Sequence, residues 1–276
     1  MSSGAAETGR LFIWAAGAVI RTKIERLDRE WEVVRFAPPF HGVSGTDRMI
    51  DAARPLPFAG NRFNAIYARR ILEHLAPDEA HAFVKEARRL LAANGILRVS
   101  VPDTESLARD YLAAVERART DPQPHIIEDV HAKRLVYMDQ FVRRVPGGAL
   151  ARHIVSGRMS EESLRHAFGD ALGTRDEAVK SRMPPAAPAW RQRLKEAGRV
   201  LLRRRWVHET HARREAHLWI YDRFSLPRLL LDAGFTDIRV VGPDTSAIAG
   251  WQRWTLDVSD SGAHPFEPSL IVEGRA

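Results

Sequence analysis

Cysteine is absent from this 276-residue chain, which excludes a disulfide framework, a thiolate zinc site and a cysteine nucleophile. Long apolar runs are missing too. The longest, Leu11 to Ile20, is closed by Arg10 and Arg21 and falls short of the roughly 20 residues a membrane-spanning helix needs. No small-residue cleavage site follows it, so we expect no signal peptide and a cytoplasmic protein. Lysine is scarce, with five among the 42 cationic residues, so the formal charge of +7 is carried almost wholly by arginine. What is present is ordinary for a globular chain: 45% apolar and 28% charged residues, enough for a sizeable core. A basic balance draws a protein to nucleic acid, anionic lipid or acidic substrates, and where the charge sits matters more than its sum.

No internal repeat or low-complexity tract occurs. Residues 1–9 are small and polar and are expected to be a flexible N-terminus. Leu11–Ala16, Trp31–Phe36, Arg48–Ala52 and Asn64–Ala68 read as strands, the last three set off by proline- and glycine-bearing turns. Pro77 with Asp78 and Glu79 then opens a helix. Ala80, Phe83, Val84, Ala87, Leu90 and Leu91 share one face of it. Gly95 reads as its stop signal, ahead of a strand at Ile96–Val101. Strand, helix, strand is a βαβ unit, so the sheet should be parallel and covered by helices on both faces. The pattern returns near the C-terminus. Ser225 is a plausible N-cap, Leu226, Leu229, Leu230 and Ala233 face inward, and Gly234 ends the helix before strands at Phe235–Val241 and Ser269–Glu273. The chain then divides into four parts: the N-terminus 1–9, a first core segment 10–103, a helical insert 104–223 and a last core segment 224–276. The insert is too long for an ordinary connection and should form a lid.

The block LPFAGNRFNAIYARRILEHLAPDEAHAFVKEARRLLAANGILRVSVPD, residues 56–103, resembles the class I S-adenosylmethionine-dependent methyltransferases, closest to their type-11 branch. HLWIYDRFSLPRLLLDAGF at 217–235 and the closing GWQRWTLD…PSLIVE are similar to a subgroup of the same proteins. The resemblance implies a Rossmann-like α/β fold: a seven-stranded, mostly parallel sheet with an antiparallel last strand and the helical insert between the fifth and sixth strands. It also implies S-adenosylmethionine bound at the C-terminal ends of the first strands. On that alignment Asp51 and Ala52 hold the adenine side, the turn Trp14, Ala15, Ala16, Gly17 faces the methionine part, and Ala68 and Arg69 lie under the sulfonium. The chain departs from the family pattern twice. Trp14 stands where a glycine lets the backbone approach the ligand, and Arg35 lies close to the place of the acid that holds the ribose hydroxyls.

Other residues carry candidate chemistry. Glu73 and His74 follow the fourth strand. Imidazole titrates near neutrality and suits a general base for a hydroxyl, but the pair also reads as ordering the strand–helix turn, and that reading is preferred. Methyl transfer can proceed by proximity and orientation alone. His208, His211 and His217 are spaced H-x2-H-x5-H with Glu209 and Glu215 nearby. An arginine-rich polar helix accounts for them, so no metal is assigned. His217 and Tyr221 are expected to line an acceptor pocket. Trp190–Trp206 is basic and amphipathic, with Leu194, Ala197 and Leu201 on one face. It reads as a lid helix or as a peripheral contact with the inner face of an anionic membrane, while nucleic acid ranks lower for want of an aromatic-interleaved platform. The first functional expectation is methyl transfer to a hydroxyl of a small-molecule or saccharide acceptor, as in polysaccharide modification at the cell envelope. The second, favoured by the Trp14 and Arg35 departures, is a non-catalytic module that keeps the fold for binding or scaffolding.

Overall fold

The structure is a computed structural model that describes residues 9–15, 31–37, 48–49, 55–142, 148–155, 217–254, 256–257 and 268–276. The chain divides into two compact units, residues 1–107 with 218–276, and residues 108–217.

The first unit holds one sheet of seven strands: β1 Gly9–Ala15, β2 Trp31–Ala37, β3 Arg48–Met49, β4 Phe63–Arg69, β5 Leu91–Pro102, β6 Thr236–Val241 and β7 Ser269–Arg275. β3 is only two residues long, so six strands carry the length of the sheet. Their order is β3-β2-β1-β4-β5-β7-β6. The pairings among β1 to β5 are parallel, and β7 runs antiparallel to both β5 and β6. The expected seven-stranded, mostly parallel sheet with a helical insertion between the fifth and sixth strands is therefore present.

Alternation along the strands splits the side chains between two faces. On one, Ile66, Ala68, Leu97, Val99 and Val101 pack under helices α1 (Pro77–Leu90) and α5 (Ser225–Asp232). On the other, Leu11, Ala65, Tyr67 and Ile96 meet Ile248, Leu256 and the short helix α6 (Trp251–Trp254). Trp251 is fully buried there, edge-on to Tyr67 at 4.9 Å and to Trp254 at 5.8 Å.

The best-matched part of the sequence owes its pattern to α1. Pro77 occupies its first turn, and the Glu79 carboxylate accepts the Ala76 N–H at 2.9 Å. Ala80, Phe83, Val84, Ala87 and Leu90 are buried, as the spacing predicts. The LPF turn is bolted to the far end of this helix: Glu86 accepts the Leu56 N–H at 2.8 Å, and Arg89 donates to the Phe58 carbonyl at 3.1 Å.

Two local expectations change. Gly95 does not stop α1, which ends at Leu90 and passes straight into β5. It lies in a bulge where β5 carries extra residues opposite β4. A Cβ at Gly95 would come within 2.9 Å of the Ala92 carbonyl oxygen, and the left-handed turn falls on Asn94 (φ 63°). Close approach, not helix termination, requires the glycine. Ser225 likewise does not cap α5. It is the first helical residue, and Asp222 Oδ1 accepts its N–H at 2.6 Å and the Phe224 N–H at 3.0 Å. Gly234 does end the segment, with φ +91°.

The second unit contains most of α2 (Thr104–Thr120), with α3 (Pro124–Val142) and α4 (Gly148–Val155). Within it Arg117 pairs with the buried Asp129 at 2.5 Å. Asp139, also buried, accepts the Ala149 and Leu150 N–H groups at 2.9 and 3.0 Å and so caps α4. Among the described residues no helix is long and apolar enough to cross a membrane. The segment Trp190–Trp206, with His208 and His211, lies outside the described residues.

On the second face of the sheet sits Arg98, fully buried on β5. It donates to Asp257 at 2.8 Å, to Glu273 at 2.7 Å and to the carbonyls of Gly242, Pro243 and Thr245 at 3.0, 3.2 and 2.8 Å. Arg98→Met would leave two buried carboxylates without their cation, a change that costs roughly 3–5 kcal/mol in comparable buried pairs. Urea unfolding followed by tryptophan fluorescence should show that loss, with Trp251 reporting directly.

Candidate functional site

The chain runs from β1 outward through β2 to β3, then returns to the other side of β1 to lay down β4 and β5. The order therefore reverses between β1 and β4, and open α/β sheets bind ligands outside the carboxyl ends of the strands at such a switch point. Backbone register places the sequence candidates on its two sides. Trp14 of β1 pairs with Ala68 of β4, and Ala15 pairs with Arg69. On the outer flank Trp14 also pairs with Phe36, and Ile13 pairs with Arg35. Ala16, Gly17, Asp51 and Ala52 lie outside the described residues.

The side chains of Ala68 and Arg69 take opposite faces. Ala68 is fully buried among the residues under α1, so what it offers the strand end is main chain. Arg69 turns to the other face, where its Nε lies 4.0 Å from Asp257 Oδ1. Both oxygens of Asp257 are already used, one by the Tyr67 hydroxyl and the other by Arg98. Burial first, and then the Asp257 charge, push the Tyr67 phenol well above its ordinary value, so it stays protonated and donates. Arg69 Nε and the hydroxyl of Ser100, its partner on β5, are both buried with no hydrogen-bond partner among the described residues. Two orphaned polar atoms at the strand ends, beside the switch point, fit a polar ligand held at this edge.

After β4 the chain turns sharply. Arg70 adopts φ 56°, its N–H donates to the Ser100 carbonyl at 2.8 Å, and its guanidinium reaches Ser269 Oγ at 3.1 Å. Leu72–His74 then form a 3-10 helix in which Leu72 and Glu73 are buried and His74 half-buried. The Glu73 carbonyl accepts the N–H groups of Leu218 and Trp219 at 2.7 and 3.2 Å, so the turn docks the returning chain. Tyr221, two residues further on, is buried, and its carbonyl accepts the Thr104 hydroxyl at 3.0 Å. Burial, with the nearby Glu73 charge, raises its phenol pKa, so Tyr221 is a neutral donor at physiological pH. His217 is half-buried, its Nδ1 3.2 Å from the Gln140 carbonyl.

At the end of β5, Asp103 meets a partner that sequence reasoning missed. Arg223 grips it with two parallel bonds, 2.8 and 2.6 Å, while the Ser106 N–H and hydroxyl donate to the same carboxylate at 3.1 and 2.8 Å. Desolvation works to raise the Asp103 pKa, and these hydrogen bonds overcome it, so the net shift is downward. Asp103 followed by Ser106 was a readable capping signal. Nothing local pointed to Arg223, 120 residues away.

With this geometry in place, the comparisons with known proteins become informative. Residues 8–99 match the family model described as Methyltransferase domain. The match covers about a third of the chain, the segment that forms the parallel half of the sheet. No curated protein matches the chain. Among solved structures, a Pyrococcus horikoshii protein is 19% identical over 37% of this chain and 53% of that one, with a TM-score of 0.30. The match thus spans about half of that protein's length. A SAM-dependent methyltransferase from Archaeoglobus fulgidus is 9% identical over 98% of this chain and 87% of that one, TM-score 0.40. One from Methanosarcina mazei is 11% identical over 98% and 93%, TM-score 0.42.

Asp103, Asp222 and Glu86 all have lowered pKa values, each held down by hydrogen bonds to the ionised form. A depressed carboxylate stabilises the fold above its unfolded pKa, near 3.9 for Asp and 4.3 for Glu, and that contribution is lost as pH falls through the lower folded value. Unfolding free energy should therefore decline below about pH 4. In Asp103→Asn the acid limb of a urea-midpoint profile between pH 6 and pH 2 should be shallower than in the parent.

Proposed function

We propose that this protein is an S-adenosylmethionine-dependent methyltransferase that modifies a hydroxyl of a small-molecule or saccharide acceptor of the cell envelope. The observation that carries the first half of this reading is the coincidence of the methyltransferase-domain match with a strand-order reversal between β1 and β4. The cofactor, when bound, supplies an electrophilic sulfonium methyl group. The chain's own part is positional: Trp14 and Ala15 on one side of the switch point and Ala68 and Arg69 on the other form the edge against which it lies. Asp51 would take the adenine side.

The acceptor half rests on the residues beyond the end of β4. His74 stands on the turn after that strand, where a base for an acceptor hydroxyl belongs. Tyr221 is the neutral donor that would orient that oxygen. The basic amphipathic Trp190–Trp206 favours a cytoplasmic protein in peripheral contact with anionic lipid at the inner membrane face, which suits an envelope acceptor.

A second reading, a binding or scaffolding module without catalysis, is favoured by Trp14 in place of the motif glycine and Arg35 near the place of the ribose acid. Calorimetric titration separates the two. The enzyme reading expects micromolar binding of S-adenosylmethionine and S-adenosylhomocysteine, weakened at least tenfold by Asp51→Ala, about 1.4 kcal/mol or more. No heat from either ligand at high protein concentration would leave the scaffold reading standing.

A further inference from the structure

Exposed apolar side chains are ordinary when scattered and informative when several stand on one fixed stretch of backbone. The chain returning to the sheet at Leu218–Phe224 is such a stretch. Phe224 is 80% exposed, Trp219 48% and Leu218 45%, while Tyr221 among them is buried. Hydrogen bonds hold the backbone at both ends. The Leu218 and Trp219 N–H groups donate to the Glu73 carbonyl, in the turn after β4. Arg223 is clamped on Asp103, just after β5. The Phe224 N–H donates to Asp222 Oδ1, which also accepts from the Ser225 N–H and hydroxyl. β4 and β5 are paired neighbours, so both anchor points lie on one edge of the sheet. The three apolar side chains are presented to solvent from that edge by a backbone whose own hydrogen bonds are met.

Side-chain chemistry and charge say what covers them. Trp, Phe and Leu are the side chains that enter the boundary between headgroups and acyl chains, the indole keeping its N–H toward water. The charge lies close by in the sequence. Trp190–Trp206 carries seven Lys and Arg residues against one Glu, and it ends twelve positions before Leu218. A polybasic stretch of this kind is drawn to anionic headgroups. Twelve positions of extended chain span about 40 Å, which lets both segments meet one lipid surface. We propose that Leu218, Trp219 and Phe224 insert into the interfacial layer of an anionic membrane. The assignment rests on the reading of Trp190–Trp206 as a membrane contact and adds to it an apolar anchor on the sheet unit itself, beside the ends of β4 and β5.

The test is co-sedimentation of the full chain with unilamellar vesicles, made either of mixed phosphatidylglycerol and phosphatidylcholine or of phosphatidylcholine alone. The parent should partition onto the anionic vesicles and more weakly onto the neutral ones. Removal of two inserted aromatic groups in the double variant Trp219→Ser, Phe224→Ser predicts about 10- to 100-fold weaker partitioning. Phe224→Trp should bind as the parent does. The triple variant Arg203→Gln, Arg204→Gln, Arg205→Gln should lose affinity for the anionic vesicles only, and most at low salt, where charges are least screened. Thermal melting of each variant shows that it is folded. Equal partitioning of the parent and the double serine variant, with binding lost in the triple arginine variant, overturns the apolar anchor and leaves the basic-segment reading standing. A parent that stays in the supernatant with anionic vesicles overturns both. A parent that sediments as a dimer in the ultracentrifuge and becomes monomeric in Phe224→Ser overturns the lipid assignment in favour of a second copy of this chain.

Discussion

The guanidinium of Arg98 is buried in the middle of the sheet, and its compensation organises everything around it. Taking a cation out of water costs several kcal/mol unless counter-charges and hydrogen bonds replace the hydration. Asp257, Glu273 and three backbone carbonyls supply them, with the Trp251 ring 4.2 Å from the guanidinium carbon. Meeting that demand pulls the segment 242–257 onto the sheet. Glu273 is itself held by the Ser246 hydroxyl and by the Ala247 N–H at 2.8 Å, and the Trp251 indole donates to Pro243 at 3.1 Å. The second apolar face, Leu11 to Leu256, is closed by the same segment.

The functional edge inherits its geometry from this arrangement. Asp257 accepts from Tyr67 and Arg98 at once, so it balances the charge of Arg69 without meeting its hydrogen-bonding needs. At the same end of the sheet, the bidentate Arg223–Asp103 pair and the Glu73 carbonyl fasten the returning chain at Leu218–Arg223 to the ends of β5 and β4. The half of the site after β4 is thus built from main-chain docking and one clamped carboxylate. The half at β1 is built from register alone.

Much of the fold was legible because its signals are local. The acidic first turn and the 3.6-residue apolar spacing of Pro77–Leu90, the β-branched Ile96–Val101 and the order of strand, helix and strand all report on neighbours in sequence. The 56–103 block was recognisable for the same reason: the LPF turn, Glu86 and Arg89 form one connected local unit. What was misjudged depended on packing at a distance. Gly95 looked like a helix stop, and only the approach of the Ala92 carbonyl and the Leu91 side chain shows why a glycine stands there. Ser225 looked like a cap, although the acceptor that reaches its N–H belongs to Asp222.

At this end of the sheet, the sequence alone determined the strand and helix pattern around β4 and β5 and the LEH turn, because motif and spacing carry them. The pairings that give those residues their chemistry were decided by tertiary structure. Arg98 in ILRVSV and Arg69 in YARR look alike as letters. One is saturated by a loop more than 140 residues away, and the other has a buried nitrogen unmatched among the described residues. A hydrogen bond has a short reach and a strict direction, so which of two arginines is satisfied is settled only when distant segments arrive.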